Sequence, residues 1–443
     1  MNLAFVAAVL GGTCSRDSRL SGGVSTDSRT LEPDSLFVAL RGERYDGHQY
    51  IADAIARGAA AIVCERAPEN VSVPVFVVPD AEKALAELAR AHRETVDCKV
   101  IAVTGSNGKT TVKEMIAGIL PEPSMATRGN LNNHLGVPLS VLKLTPEHRY
   151  AVFELGANHP GEIAFTAHIV RPQVSLINSI APAHIEGFGS IEGVANAKGE
   201  IYAALPSEGA AVVNDDDAFA HHWDAMLGAR RVWRFSAAHK ADVYAENIHF
   251  DANGCAAFTL VSGTEALPVT LQVPGAHSVR NALAAATCCL AADIGLQAIV
   301  SGLSRFQGVS GRLATFGGKG QSTIIDDTYN ANLSSVLAAI DVLAARAGQR
   351  ILVLGDMGEL GAWAQSHHEQ AGEAARSRGI DRLMTCGEFS AFAARAFGTG
   401  GAHFTSQSSL VEALLPCLDA QTTVLVKGSR AAGMEKIVRE LMG

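Results

Sequence analysis

Residues 99–120 constrain the fold of this chain more than any other stretch, and they read K-V-I-A-V-T-G-S-N-G-K-T-T-V-K-E-M-I-A-G-I-L. The β-branched apolar run at 100–103 is typical of a buried strand, and Val112, Met115 and Ile116 then recur at helical spacing. A strand therefore gives way to a helix across a short glycine-containing loop. This order predicts an α/β domain with a ligand site at the loop.

The loop between this strand and helix has the chemistry of a phosphate site. Gly105 and Gly108 allow several backbone N–H groups to converge, the new helix presents its positive end there, and Lys109 adds a full charge. Thr110 can offer its hydroxyl to a magnesium ion, although only two residues separate the glycines where the usual P-loop has four. A Gly-Lys-Thr triplet also occurs in ordinary loops, but the flanking strand and helix favour phosphate binding. We therefore predict a variant phosphate loop formed by Thr104, Gly105, Ser106, Asn107, Gly108, Lys109, Thr110 and Thr111.

Length and composition narrow the class of protein. A chain of 443 residues suggests roughly three domains of about 150 residues each. A content of 48% hydrophobic and 18% charged residues is typical of a soluble globular protein. The net charge of -9 argues against a general nucleic-acid binder, which would normally carry a basic face, but leaves anionic small substrates open. No apolar run approaches the length of a membrane span.

Cysteine usage and the apolar start of the chain indicate a cytoplasmic protein. The eight cysteines show no C-x-x-C spacing, and Cys288 and Cys289 are adjacent in a predicted helix. We therefore expect buried thiols in a reducing compartment. Residues 1–14 are apolar but lack the basic segment of a signal peptide, so we expect a packed helix and turn there.

The central part of the chain alternates strands and helices, which predicts a mostly parallel sheet. Two predicted strands, 150–157 and 174–180, end in polar residues, where ligands gather on open α/β sheets. The first delivers Glu154, and the second is followed by His184 in A-P-A-H-I-E-G-F-G. With the hydroxyl of Thr110, these side chains could hold Mg²⁺ beside phosphate oxygens, although imidazole is a less typical magnesium ligand and a lone glutamate is more often structural.

Two further motifs have an ordinary explanation beside a functional one. Lys198 lies on a helix predicted at 190–205, where a lysine is usually solvated. Thr26, Ser28 and Arg29 belong to S-T-D-S-R before a short strand, and hydroxyls with an arginine can hold a uracil edge or a diphosphate. Taken alone, a solvated turn is the simpler explanation of that second motif.

The rest of the chain predicts an antiparallel extension and a second α/β unit. Residues 242–273 favour three antiparallel strands appended to the central sheet. Beyond Arg312, predicted strands at 323–325, 351–354 and 424–426 run into D-D-T-Y-N-A-N, G-D-M-G-E and K-G-S-R, respectively. Because each strand carries polar residues at its C-terminal end, we expect a second ligand-facing edge.

Together these motifs resemble the Mur ligases, the ATP-dependent amide-forming enzymes of peptidoglycan precursor synthesis. T-G-S-N-G-K-T-T is similar to the shortened phosphate loop of that family. D-D-T-Y-N-A-N, V-L-G-D-M-G-E-L-G, N-x-N-N-H-L-G-V-P and V-K-G-S-R are most similar to the members that add D-alanyl-D-alanine to the UDP-N-acetylmuramoyl tripeptide. The resemblance covers essentially the full length, with the motifs in the same order.

The resemblance implies three α/β domains. They are a small UDP-sugar-binding domain at 1–85, a central ATP-binding domain at 86–312 with a P-loop-type, mostly parallel sheet, and a Rossmann-like ligase domain at 313–443. The implied cofactors are ATP, Mg²⁺ and carbon dioxide, the last as a carbamate on Lys198.

The resemblance also implies roles for individual residues. Lys109, Glu154, His184 and Lys198 would be catalytic, with Lys109 and its loop on the ATP phosphates. The magnesium ligands would be Thr110, Glu154, His184 and carbamylated Lys198. Asn281 would contact adenine, Arg312 the nucleotide and Asp326 the ribose. The remaining substrate contacts would be Thr26, Ser28 and Arg29 for the UDP moiety, and Asn330 and Asn332 for the acceptor.

The implied chemistry explains why ATP is needed. A carboxylate does not condense with an amine in neutral water, so phosphoryl transfer from ATP would first convert it into an acyl phosphate. Another Mur ligase or a folylpolyglutamate synthase stays possible on the shared loop, as does a nucleotide-gated binding protein without chemistry. D-D-x-Y-N-A-N and K-G-S-R favour the D-alanyl-D-alanine ligase, and we expect a monomer. The sequence does not choose between diaminopimelate and lysine as the third peptide residue.

Overall fold

A computed structural model describes residues 1–12, 18–42, 45–69, 71–182 and 185–442. Its strands form three sheets, of four, nine and six strands in order along the chain. Within the described residues, no helix combines the length and the apolar character needed to cross a bilayer. The predicted α/β class with a mostly parallel central sheet is confirmed.

The N-terminal sheet is small and entirely parallel. Its elements are α1 (Leu3–Leu10), β1 (Val24–Ser25), β2 (Ser35–Val38), α2 (Ile51–Ala56), β3 (Ala59–Cys64), β4 (Val75–Val77) and α3 (Ala81–Glu94). The strands follow the order β1-β2-β3-β4. The predicted first helix is confirmed as α1, which begins after the Asn2 side chain caps the N–H of Phe5. Residues 13 and 14 of the predicted turn lie outside the described residues.

The central unit contains the largest sheet. Its elements are β5 (Lys99–Thr104), α4 (Lys109–Ile119), β6 (Ser124–Ala126), α5 (Gly136–Val141), β7 (Tyr150–Glu154), α6 (Glu162–Val170), β8 (Val174–Ile177), α7 (Ile185–Phe188), α8 (Ile191–Ala203), β9 (Ala210–Asn214), α9 (Asp224–Leu227), β10 (Arg231–Ser236), β11 (Val243–Phe250), β12 (Cys255–Ser262), β13 (Glu265–Pro274), α10 (Ala276–Ala291) and α11 (Leu296–Arg305).

The central sheet is parallel except at one end. Its order is β13-β12-β11-β10-β9-β8-β5-β7-β6, and only the β11–β12 and β12–β13 pairs are antiparallel, which confirms the predicted appended strands. Helices α4, α10 and α11 bury their apolar residues on one face, and α5, α6 and α8 do so on the other. β7 and β8 end three residues earlier than the predicted strands, because the chain turns into polar loops at Glu154 and Ile177.

The C-terminal unit is a second α/β sheet. Its elements are β14 (Ala314–Gly317), β15 (Thr323–Asp327), α12 (Leu333–Ala344), β16 (Gln349–Gly355), α13 (Ala364–Ser377), β17 (Arg382–Cys386), α14 (Ser390–Phe397), β18 (Gly401–Phe404), α15 (Gln407–Leu414), β19 (Thr422–Lys427) and α16 (Glu435–Leu441). The strand order is β14-β15-β19-β16-β17-β18, and only β14 is antiparallel.

The strand order of this sheet places crevices on both sides of β19. Helices α12, α13 and α14 pack on one face of the sheet, whereas α15 and α16 pack on the other. The chain that leaves β19 therefore turns to the opposite face from the chains that leave β15 and β16. Ligands of open α/β sheets bind at such switch points.

Helix α3 joins the first two units. Leu85 and Leu88 pack into the core of the N-terminal sheet, and Ala86 and Ala89 pack against the central unit. The predicted domain boundary between residues 85 and 86 lies inside this helix, and the three domain ranges stay a prediction.

The expectation of buried thiols holds for only part of the cysteines. The described cysteines carry no disulfide, and Cys288 and Cys289 are fully buried in α10. The expectation is wrong for three partly exposed thiols, because two lie at the ends of strands and one at the end of a 3-10 turn. Cys14 lies outside the described residues. The partly exposed thiols belong to Cys255, Cys386 and Cys417.

Candidate active site

The loop between β5 and α4 is held in a conformation that requires glycine. Gly105 has φ of 143° and Gly108 has φ of 78°, both in the region that side chains disfavour. A Cβ atom at Gly108 would lie 2.3 Å from the Asn178 amide nitrogen and 2.6 Å from the Asn281 side-chain oxygen. The backbone of the loop therefore packs directly on these two amides, which leaves no room for a side chain.

Asparagine side chains hold the loop through a set of hydrogen bonds. The Asn178 side-chain amide donates to Asn107 O and to Asn281 Oδ1, each at 3.0 Å. The Asn214 amide donates to Asn178 O at 3.0 Å. Because Asn178, Asn214 and Asn281 come from the ends of β8 and β9 and from α10, the loop is fixed by three separate elements.

Lys109 and Thr110 open helix α4 beside the loop. Lys109 Nζ donates to Gly105 O at 2.6 Å and contacts Ser106 O at 3.4 Å. Burial lowers the pKa of Lys109, and the nearby Glu154 carboxylate opposes this effect. Thr110 Oγ1 donates to Glu154 Oε2 at 2.7 Å. The cation and the hydroxyl therefore face the same carboxylate.

Glu154 is a buried carboxylate at the end of β7, with 2% of its surface exposed. Its second oxygen, Oε1, accepts a hydrogen bond from Asn132 Nδ2 at 2.8 Å. Within the described residues, no group of three His, Cys, Asp or Glu side chains forms a ready metal site. A magnesium ion usually takes only one or two carboxylates and completes its shell with phosphates and water, so Thr110 and Glu154 fit this ion. The predicted ligand His184 lies outside the described residues.

Lys198 is buried, so the ordinary explanation of a solvated helical lysine is wrong. Only 1% of the residue is exposed, and Nζ lies 5.7 Å from the centre of the Phe188 ring. Burial, together with repulsion from Lys109, lowers the pKa of Lys198 to about 7. The side chain extends from α8 towards the interior because α8 packs that face on the central sheet.

A cavity of about 630 Å³ lies between the central and C-terminal sheets. Lys427 enters it from β19 and pairs with Asp327 Oδ2 at 2.5 Å, and it also donates to Asn330 O at 2.9 Å. Burial raises the pKa of Asp327, and Lys427 opposes this effect. The lining includes most of the predicted nucleotide and acceptor residues, namely Ser106, Asn107, Gly108, Lys109, Thr110, Thr111, Glu154, Asn281, Arg312, Asn330 and Asn332.

Two side chains bridge the central and C-terminal units at this cavity. Arg312 donates to Thr110 Oγ1 at 2.8 Å, and its guanidinium lies 4.2 Å from the centre of the Tyr329 ring. Asn332 caps α12 and donates to Asn107 Oδ1 at 2.9 Å. The phosphate loop is thus in direct contact with the loop that carries the predicted acceptor residues.

The remaining predicted residues do not line this cavity. Asp326 accepts hydrogen bonds from Thr328, and Thr104 Oγ1 donates to the backbone carbonyl of Leu155. Gly105 and Lys198 are not among the residues that line the cavity. The UDP candidates belong to the N-terminal unit, where Ser28 is buried and Arg29 is largely exposed; Thr26 lies two residues before Ser28. The guanidinium of Arg29 lowers the pKa of Asp27 to about 2.

Sequence reasoning missed several residues as members of the site. Asn132, Asp327, Tyr329 and Lys427 were part of quoted motifs without a role, and Asn214 was not singled out. Neighbouring side chains of β15 point to opposite faces of the sheet. This alternation was a usable signal that Asp327 faces the site. Asn132 and Asn214 meet the site through long-range packing, which no local pattern predicts.

A phosphate loop beside a buried carboxylate, opposed by polar loops from a second sheet, defines a nucleotide-dependent enzyme that builds its site from two domains. Three family models match consecutive parts of the chain: Mur ligase family, catalytic domain, at 22–93; Mur ligase middle domain at 103–289; and Mur ligase, glutamate ligase domain, at 311–430. The chain belongs to the Mur ligase family.

Similar proteins cover nearly the whole chain. UDP-N-acetylmuramoyl-tripeptide--D-alanyl-D-alanine ligase from Escherichia coli (strain K12) is 46% identical over 423 residues, which is 94% of this chain and 93% of that protein. Its counterpart from Haemophilus influenzae is 41% identical, over 94% and 93%. A crystal structure of MurF from Acinetobacter baumannii has a TM-score of 0.93 at 36% identity, over 99% and 98% of the two chains. MurF ligase from Thermotoga maritima in complex with ADP has a TM-score of 0.83 at 27% identity, over 95% and 97%.

The left-handed glycine of the loop gives a direct test of the site. Gly108→Ala should weaken ADP binding by at least about tenfold, because the strained φ alone costs about 1–2 kcal/mol and the new Cβ would overlap Asn178. Gly118→Ala, on the same helix with open space around it, should bind ADP as the wild type does. Isothermal titration calorimetry measures both. Equal affinities for the two variants would contradict this account of the loop.

Proposed function

We propose that this chain is the ligase that joins D-alanyl-D-alanine to UDP-N-acetylmuramoyl-tripeptide, using ATP and releasing ADP and phosphate. The product is the pentapeptide precursor of peptidoglycan. The observation that carries the proposal is the single cavity shared by the phosphate loop, the D-D-T-Y-N-A-N loop and Lys427 at the start of K-G-S-R. The names of relatives at 46% and 41% identity support the same substrates.

The geometry suits phosphoryl transfer to a carboxylate. The loop N–H groups, the start of α4 and the Lys109 ammonium would bind and neutralise the ATP phosphates, which otherwise repel an incoming carboxylate. The Arg312 guanidinium donates to Thr110 Oγ1 and is therefore close enough to stabilise negative charge on the phosphoryl group during its transfer. The terminal carboxylate of the tripeptide would thereby become an acyl phosphate, with phosphate as a good leaving group.

Magnesium would be held by Thr110 and Glu154, with His184 and a Lys198 carbamate as further proposed ligands. When bound, the ion would neutralise phosphate charge and orient the oxygens for transfer. Burial of Glu154 supports this role, because a buried carboxylate needs compensating charge. The pKa of about 7 for Lys198 supports carbamate formation, since only the uncharged amine reacts with carbon dioxide.

The acceptor amine would attack the acyl phosphate from the side of the second sheet. An α-amino group has a pKa of about 8, so a substantial fraction is already the free base at neutral pH and a strong catalytic base is not required. Asn330 and Asn332 lie on that side of the cavity, and Lys427 fixes the loop through Asp327 and Asn330 O. Donors there can stabilise the tetrahedral oxyanion before phosphate leaves.

The roles proposed for the remaining residues are those that the resemblance to the Mur ligases implies. Asn281 would contact adenine and Asp326 the ribose, while Thr26, Ser28 and Arg29 would hold the UDP moiety on the N-terminal unit. We also propose that the enzyme acts in the cytoplasm as a monomer, because one chain supplies both walls of the cavity.

The choice of acceptor tests the proposed function. When ATP, Mg²⁺ and the UDP-linked tripeptide are present, the enzyme should form ADP on addition of D-alanyl-D-alanine. It should not do so on addition of D-glutamate or diaminopimelate. A coupled ADP assay measures this, and omitting the tripeptide is the control. Preference for a single amino acid would identify another member of the family. Tight ADP binding without turnover under all conditions would instead favour a nucleotide-gated binding protein.

The carbamate gives a second test. Lys198→Ala should lose most activity and regain part of it when a short carboxylic acid such as acetate or formate replaces the missing oxygen ligand. Lys83→Ala removes an exposed lysine of α3. This variant is the control, and added acid should not raise its activity. The ADP assay is run in buffer with and without carbon dioxide. Full activity of Lys198→Ala in depleted buffer would rule out the carbamate.

A further inference from the structure

A second lysine of helix α4 is fully buried and is not used by the mechanism above. Lys113 lies three residues beyond Thr110, on the same side of the helix. Its Nζ donates to Thr127 O at 2.9 Å and contacts the carboxylate of Glu114. A buried ammonium is costly unless its partners compensate, so these contacts must hold it in place.

Thr127 connects this lysine to the buried carboxylate of the site. Thr127 follows β6 and is 1% exposed, and its N–H donates to Val152 O at 3.0 Å. Its hydroxyl oxygen accepts the N–H of Glu154 at 3.0 Å. One residue thus binds Lys113 through its carbonyl and Glu154 through its side chain.

The same loop reaches Glu154 a second time. Asn132, five residues after Thr127, donates to Glu154 Oε1 and accepts the N–H of Gly156 at its own carbonyl, both at 2.8 Å. Residues 127–132 therefore hold Glu154 at its backbone and at its carboxylate. Lys113 ties the beginning of this segment to the helix that carries Thr110, the other partner of Glu154.

We infer that Lys113 is a positioning residue that sets the distance between Glu154 and Thr110, and thereby the affinity of the site for a divalent cation. It does not touch the reacting atoms. The inference rests on the proposed function only in taking Thr110 and Glu154 as cation ligands. Partners of metal ligands usually affect metal affinity by about 10–100-fold, which is the effect expected here.

Lys113→Met tests the inference, because it keeps the length of the side chain and removes the donor. Electron paramagnetic resonance of Mn²⁺, added to the full-length enzyme with ADP, measures cation binding without any acceptor. Lys113→Met should bind Mn²⁺ about tenfold more weakly. Its ADP affinity in EDTA should stay within about twofold of wild type, since the phosphate loop is unchanged. Lys83→Met makes the same substitution at an exposed lysine of α3, and as the matched control it should bind Mn²⁺ normally.

Thr127→Val provides an independent variant if Lys113→Met does not fold. It keeps the shape of the side chain and the carbonyl that Lys113 binds, but removes the oxygen that accepts the Glu154 N–H. It should weaken Mn²⁺ binding to a similar extent. Normal Mn²⁺ affinity in Thr127→Val, or in a folded Lys113→Met, would overturn the inference and leave Lys113 with a role in stability alone. Because no acceptor is present, this result is independent of whether D-alanyl-D-alanine is the substrate.

Discussion

The buried carboxylate of Glu154 is the group on which the rest of the site depends. A charge removed from water must be compensated, and here a hydroxyl and an amide converge on its two oxygens. Thr110 belongs to the helix that follows the phosphate loop, and Asn132 belongs to the polar segment after β6. The charge therefore fixes the relative positions of a strand, a helix and a loop, which are the parts that would bind the phosphates and the proposed cation.

The second constraint is that neither sheet completes the cavity alone. The central unit supplies the phosphate loop and Glu154, whereas the C-terminal unit supplies Asn330, Asn332 and Lys427. In the C-terminal sheet, β19 lies between β15 and β16. The chain leaves β19 towards one face of the sheet and leaves β15 and β16 towards the other, which opens crevices at the carboxyl ends of these strands. A site built in this way can bring two substrates together from different sides and exclude water from a reactive acyl phosphate.

The sequence predicted the features that depend on neighbouring residues. The phosphate loop is one such feature, because glycine spacing, the strand before it and the helix after it are all local. The burial of Lys198 was readable from the spacing, since Val194 lies four residues before it and Ile201 three residues after it on the same apolar face of α8. The contact between Asn132 and Glu154 spans 22 positions, and the bond from Asn332 to Asn107 joins two domains. Such contacts follow from the packing of distant segments. The order of the motifs, through the family resemblance, indicated the chemistry of these residues, but it could not give the distances between them.

Transfer of oxygen from the peptide to phosphate tests the central claim most directly. The terminal carboxylate of the UDP-linked tripeptide is labelled with ¹⁸O, and the enzyme is supplied with ATP, Mg²⁺ and D-alanyl-D-alanine. An acyl phosphate intermediate predicts that each phosphate released carries one labelled oxygen, which phosphorus NMR detects as an isotope-shifted resonance. Release of unlabelled phosphate alongside amide formation would contradict the account.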